Sequence, residues 1–145
     1  MHRRIDEQIG RHRRFLITAH ERLDGDAVGS ELALFHMLQD LGKEVVVYNQ
    51  DRTPGNFLFL PGSDLIVHEL SPADPFEVAF VLDCGELDRV GKAAPRIAKI
   101  PNLINIDHHV SNGGFCEIRL ADPAASSTGE LIFGLARDLG RPVTP

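Results

Sequence analysis

Thr18-Ala19-His20-Glu21-Arg22-Leu23-Asp24-Gly25-Asp26-Ala27-Val28-Gly29-Ser30 follows the apolar run Phe15-Leu16-Ile17 and leads into a helical pattern. It reads as the loop leaving a buried strand. Three side chains of metal-ligand type, His20, Asp24 and Asp26, fall within it. Only Gly25 separates the two aspartates, and alternate side chains of an extended loop point the same way. Two carboxylates so placed repel each other unless a cation lies between them. One histidine with two aspartates is a mixed nitrogen and oxygen set, suited to Mn²⁺, Fe²⁺ or Zn²⁺ more than to Ca²⁺. The competing reading makes Asp26 a cap for the following helix, with Gly25 permitting the turn. The loop alone does not choose between them.

Further strands lie on both sides of this loop. Val45-Val46-Val47-Tyr48 is a buried strand by its β-branched run, Val78 to Leu82 another, and Leu103-Ile104-Asn105-Ile106 a third. Leu65-Ile66-Val67 is a short strand candidate. Helical spacing places Ile5 and Ile9 on one face of an opening helix within residues 2–14, its arginines forming a solvated face. Ala27 to Leu41 carries Leu34, Leu38 and Leu41 on one face, with Gly42 at the C-cap position. Ala93 to Lys99 reads as a short helix weakened by Pro95. Ser127 and Glu130 make a capping box, and Leu131, Ile132, Leu135 and Leu139 supply the buried stripe of a last helix. Between Pro54-Gly55 and Pro61-Gly62, Phe57 to Leu60 form an apolar plug against the sheet edge. Strands alternating with helices predict an α/β fold, an open and mostly parallel sheet with helices on both faces, in one domain over residues 1–145.

Composition narrows the function. The chain has 145 residues, 43% of them hydrophobic, and a net charge of −6, enough for one core and without a basic footprint for broad nucleic-acid binding. An acidic protein that handles phosphates needs cations to offset its own field. Its two cysteines, Cys84 and Cys116, form no CxxC pair and give no disulfide framework. A reducing compartment follows, the cytoplasm by default. No signal-peptide core follows the basic start, and no segment approaches membrane-spanning length.

The polar residues are concentrated at strand ends. Phe15 to Thr18 leads to His20, Asp24 and Asp26; Val78 to Leu82 leads to Asp83; Leu103 to Ile106 leads to Asp107, His108 and His109. Open parallel sheets bind ligands outside the carboxyl ends of their strands, so these groups are expected together. The cluster holds ligands enough for two ions, and a carboxylate shared from Asp83 would set them roughly 3.5–4 Å apart. Singly, each motif has a plain structural explanation: Asp83 capping its own turn, or His108 and His109 on a solvated surface turn. Their joint placement favours metal. His2, His12, His36 and His68 read as exposed or structural histidines.

Asp107-His108-His109, with His20-x-x-x-Asp24-x-Asp26 and the strand-terminal Asp83, resembles the DHH phosphoesterase family. The resemblance is closest to its nanoRNase/pAp-phosphatase branch, related to RecJ-like exonucleases and family II pyrophosphatases. Asp107 to Asn112 and the segment Asp122 to Glu130 match that branch, and the resemblance runs from Phe15 to Pro145. Two departures stand out. Leu23 replaces the branch's usual proline, and the chain ends before the fourth metal-ligand aspartate and the second, substrate-binding domain. It is therefore expected to be the N-terminal part of a longer protein.

The resemblance implies that His20 and Asp24 bind one Mn²⁺, that Asp26 and His108 bind the other, and that Asp83 bridges; the same ligands would accept other divalent ions. It makes His109 the group beside the scissile phosphate, with Asp107 orienting a histidine. Arg89 and Asn112 are weaker substrate-binding candidates, Arg89 through bidentate phosphate contact. Ser126, Ser127 and Thr128 at a helix start offer phosphate donors or simply caps. The implied activity is hydrolysis of short oligonucleotides or adenosine bisphosphate, in a protein able to form a homodimer. A non-catalytic metal- or nucleotide-binding piece and an inorganic pyrophosphatase are the competing functions. The absence of a GxGxxG turn after the first strand disfavours a dinucleotide-dependent oxidoreductase.

Overall fold

The structure, a computed structural model, describes residues 1–143. Thr144 and Pro145, the last two positions of the expected domain, lie outside the described residues. The order of elements is α1 (His2–Arg11), β1 (Arg14–Thr18), α2 (Gly25–Asp40), β2 (Glu44–Tyr48), β3 (Val78–Leu82), α3 (Ala94–Ile97), β4 (Asn102–Asp107), β5 (Ile118–Ala121) and α4 (Thr128–Asp138). The five strands form one sheet in the order β2-β1-β3-β4-β5, and every pairing is parallel.

Strands buried on both faces read as continuous apolar runs, and all five residues of β3 are buried. Side chains alternate between two cores. Phe15, Ile17, Phe80, Leu82, Ile104 and Ile106 pack with residues from α1, α2 and α4. Leu16, Ala79 and Val81 pack on the opposite face with Val90, Ala94 and Ile97, the last two from α3. Helices thus cover both faces, as expected. Fully burying a side chain such as Phe80 stabilises by about 2–3 kcal/mol. In α1, Ile5 and Ile9 enter the larger core, and Arg4 reaches Glu117 at 2.6 Å.

Four details differ from the sequence reading. The chain at Ser63–Leu65 is a 3₁₀ turn, entered through Gly62 at φ 88°, and Val67 makes only an isolated bridge to Tyr48. Three residues after a Pro-Gly turn are too few to establish a ladder, so Leu65 to Val67 is not a strand. In the predicted plug, Phe57 and Leu60 pack on the core while Leu58 and Phe59 are exposed at 58% and 79%. The helix predicted from Ala93 to Lys99 is one turn, Ala94–Ile97. Strand β5 went unread because Ile118–Ala121 is a short edge strand with one buried residue.

Strand order reverses between β1 and β3: the chain leaves β1 for β2 on one side and continues from β3 to β4 on the other. In a doubly wound sheet of this order the crevice opens at that point, beyond the carboxyl ends of the strands. The loops carrying the acidic and imidazole groups all emerge there.

Candidate metal centre

The loop leaving β1 is held on both sides. The Glu21 amide donates to the Arg89 carbonyl at 2.7 Å and the Arg22 amide to the Asp51 carboxylate at 2.5 Å, with Arg22 in the left-handed region at φ 58°. His20 is buried and donates Nδ1–H to the Glu21 carbonyl at 2.6 Å, which leaves Nε2 turned inward. Asp24 is the N-cap of α2 and accepts from the Ala27 amide at 2.9 Å. Helix α2 therefore starts at Gly25, two residues earlier than expected. Asp24 and Asp26 consequently do not share one side of an extended loop, because residues two apart on a helix face different ways. Asp24 lies 3.9 Å from His20 Nε2, while Asp26 Oδ2 lies 3.5 Å from His108 Nε2. The cap is Asp24, not Asp26.

Asp83 occupies the centre. It ends β3 in the left-handed region at φ 53°, a conformation rare outside glycine and characteristic of functional positions. Its side chain is buried between loops: Oδ2 is 3.3 Å from His20 Nε2, and Oδ1 is 3.6 Å from His108 Nε2 and 3.7 Å from His109 Nδ1. Burial pushes its carboxyl up, but hydrogen bonds from His20 and Thr128 outweigh it and hold the pKa below the ordinary value. His20 is shifted the other way, its pKa raised chiefly by the bond to Asp83 against the opposing effect of burial.

From β4 come Asp107, His108 and His109. Asp107 is fully buried and accepts from His109 Nδ1 at 2.7 Å through Oδ1 and from Asn112 Nδ2 at 2.7 Å through Oδ2. Asn112 Nδ2 also donates to Asn105 Oδ1 at 2.7 Å, so Asn112 braces the Asp107 carboxylate from behind. Arg89 is exposed, makes no ion pair among the described residues, and meets the cluster only through its backbone carbonyl.

Two donor groups result. His20, Asp24 and Asp83 offer atoms within 4.8 Å of one another, and so do Asp83, His108 and His109. Asp83 belongs to both. Atoms about 2.0–2.2 Å from a common ion stand about 3.0–3.5 Å apart, comparable with the spacings here. The hydrogen bonding favours a cation too. With Nδ1–H committed to Glu21, a neutral His20 points the Nε2 lone pair at a carboxylate, so a proton or a metal must lie between them. The nitrogen and oxygen donors fit a first-row divalent ion.

Sequence reasoning did not single out Asn49, Glu31 and Asn105, and it read Thr128 as a phosphate donor or cap at a helix start. Asn49 Oδ1 accepts from the Ala19 amide at 3.4 Å while Nδ2 donates to Glu31 Oε2 at 2.8 Å, supporting the loop just before His20. Asn105 donates to the carbonyls of Val81 and Cys84, both at 3.0 Å, fixing the chain around Asp83. A lone asparagine inside an apolar strand was the available signal. The N-terminal amides of α4 are already used: Thr128 and Gly129 donate to Asp26, each at 2.8 Å, and Glu130 to Ser127 Oγ at 3.0 Å.

Known proteins resemble the chain along most of its length. The family model described as "DHH family, N-terminal domain" matches residues 14–144. The bifunctional oligoribonuclease and PAP phosphatase NrnA of Thermus thermophilus is 32% identical over 127 residues, covering 86% of this chain and 36% of that protein. The protein of the same name from Bacillus subtilis is 26% identical over 120 residues, 83% of this chain and 37% of its own. The crystal structure of an exopolyphosphatase-related protein from Bacteroides fragilis matches with a TM-score of 0.88 at 30% identity, covering 96% of this chain and 43% of that one. The chain thus spans 36–43% of the length of these relatives.

Proposed function

This chain belongs to the DHH family, and on that premise we propose that residues 1–145 are the N-terminal, metal-bearing domain of a longer Mn²⁺-dependent phosphoesterase. Its substrates are short oligonucleotides, adenosine bisphosphate, or both, the classes named for the Thermus and Bacillus relatives. The observation that carries the reading is the convergence of His20, Asp24, Asp26, Asp83 and His108 at the reversal point of the sheet.

His20 and Asp24 would hold one ion and Asp26 and His108 the other, with Asp83 lying near the histidines of both pairs. Bound divalent ions supply an activated water and offset charge on the phosphate oxygens. The chain's own groups do the rest. His109 is 37% exposed, and Asp107 fixes its Nδ1–H, so Nε2 is free to hold a proton for the departing oxygen. His109 Nδ1 also lies near Asp83 Oδ1, but its short bond to Asp107 commits that nitrogen away from the ions.

The test is release of mononucleotide from a dinucleotide by this chain with Mn²⁺, compared with Asp83→Ala. Turnover in the parent chain, lost on chelation and abolished in a variant that keeps the parent circular dichroism, is expected. Turnover retained in Asp83→Ala would overturn the scheme.

A further inference from the structure

Thr128 is completely buried at the first position of α4 and makes two contacts with the carboxylates that face His108. Its hydroxyl donates to Asp83 Oδ1 at 2.9 Å, and its backbone amide donates to Asp26 Oδ2 at 2.8 Å. Both directions are fixed by chemistry, because an ionised carboxylate only accepts. His108 Nε2 stands 3.5 Å from Asp26 Oδ2 and 3.6 Å from Asp83 Oδ1, the same two oxygens that Thr128 grips.

From this juxtaposition we propose that Thr128 is a positioning residue for metal binding, setting the separation and orientation of Asp26 and Asp83. The inference rests on the metal-centre reading above. Several features suit Thr128 to the task. A β-branched side chain at a helix position has few χ1 choices, so the hydroxyl direction is set with the backbone. Each carboxylate oxygen it holds keeps a lone pair for a cation, while one rotational freedom of each carboxylate is removed. The Gly129 amide takes the other oxygen of Asp26 at 2.8 Å, and Ser30 Oγ donates to it at 3.2 Å, so Asp26 is oriented through both oxygens. The positive end of the α4 dipole also offsets the charge of Asp26. The start of α4 is thereby spent on the protein's own carboxylate rather than on a phosphate group.

Partners standing behind metal ligands typically change affinity 10–100-fold when removed. Thr128→Val keeps the shape and the amide but removes the hydroxyl, and Thr128→Ser keeps the donor. Mn²⁺ alone is titrated into the chain by calorimetry, with the electron paramagnetic resonance of free Mn²⁺ as a second readout. Metal-free melting is recorded separately. The valine variant is expected to bind Mn²⁺ about 10–100-fold more weakly, and serine to restore binding to within about threefold. Thr128→Ala, which places no methyl against the carboxylate, provides the same comparison if valine prevents folding. A folded valine or alanine variant that binds Mn²⁺ like the parent would overturn the role of Thr128 while leaving the metal centre intact. A parent chain that binds no Mn²⁺ would overturn both.

Discussion

Glu31 is the most unusual single residue of the molecule. It lies on α2, fully buried, and its Oε2 accepts from Asn49 Nδ2 while Oε1 has no partner. Burial raises its pKa to about 8 from an ordinary 4.5, with the Asn49 bond opposing. The folded chain therefore keeps a proton that the unfolded chain releases above pH 4.5. The contribution of Glu31 to stability is greatest below that pH and declines progressively until pH about 8, by a few kcal/mol. Glu31→Gln keeps the acceptor for Asn49 and removes the ionisation. We expect denaturant midpoints of the glutamine variant, measured with chelator, to lose this decline between pH 5 and 8 and to exceed the parent at pH 8. Parallel parent and variant curves would show Glu31 ionised in the folded chain. No sequence pattern marks this residue: it is one glutamate in a helix whose buried positions extend around several sides.

Among elements, α2 and α4 do most to build the site. Leu34 and Leu38 of α2 are fully buried, so Leu38→Ala should cost about 2–5 kcal/mol, read as a lower denaturant midpoint with an unchanged m-value. The α4 start is weaker and more local. Ser127 accepts from the Glu130 amide, and removing that cap with Ser127→Ala should cost about 1 kcal/mol. The strands were legible because buried parallel strands are nearly pure apolar runs, and the donors were legible because His20, Asp83 and His108 directly follow them. The exit directions were not legible. That Asp24 and Asp26 diverge depends on the helix beginning at Gly25, and α4 contributes to the centre only through tertiary packing on α2. Sequence separation conceals such partners, since Asp26 and Thr128 are 102 positions apart.

At the scale of the whole molecule, two cores sandwich one sheet, and the described residues include no helix long and apolar enough to cross a membrane. Net charge is −6, yet carboxylates are gathered at one edge of the sheet, where divalent ions offset repulsion most directly. The gathering has a kinetic consequence. Loops after β1, β3 and β4 and the first turn of α4 must all be in place before the donors meet. Such distant contacts form late, once loop closure across the chain is complete. An ion bound by the finished site then stabilises only the native state, not the transition state before it. In stopped-flow experiments Mn²⁺ should leave the refolding limb of the chevron unmoved and lower the unfolding limb, while faster refolding would place the site in the nucleus. Metal supply would then govern the lifetime of the folded chain rather than the speed with which it folds.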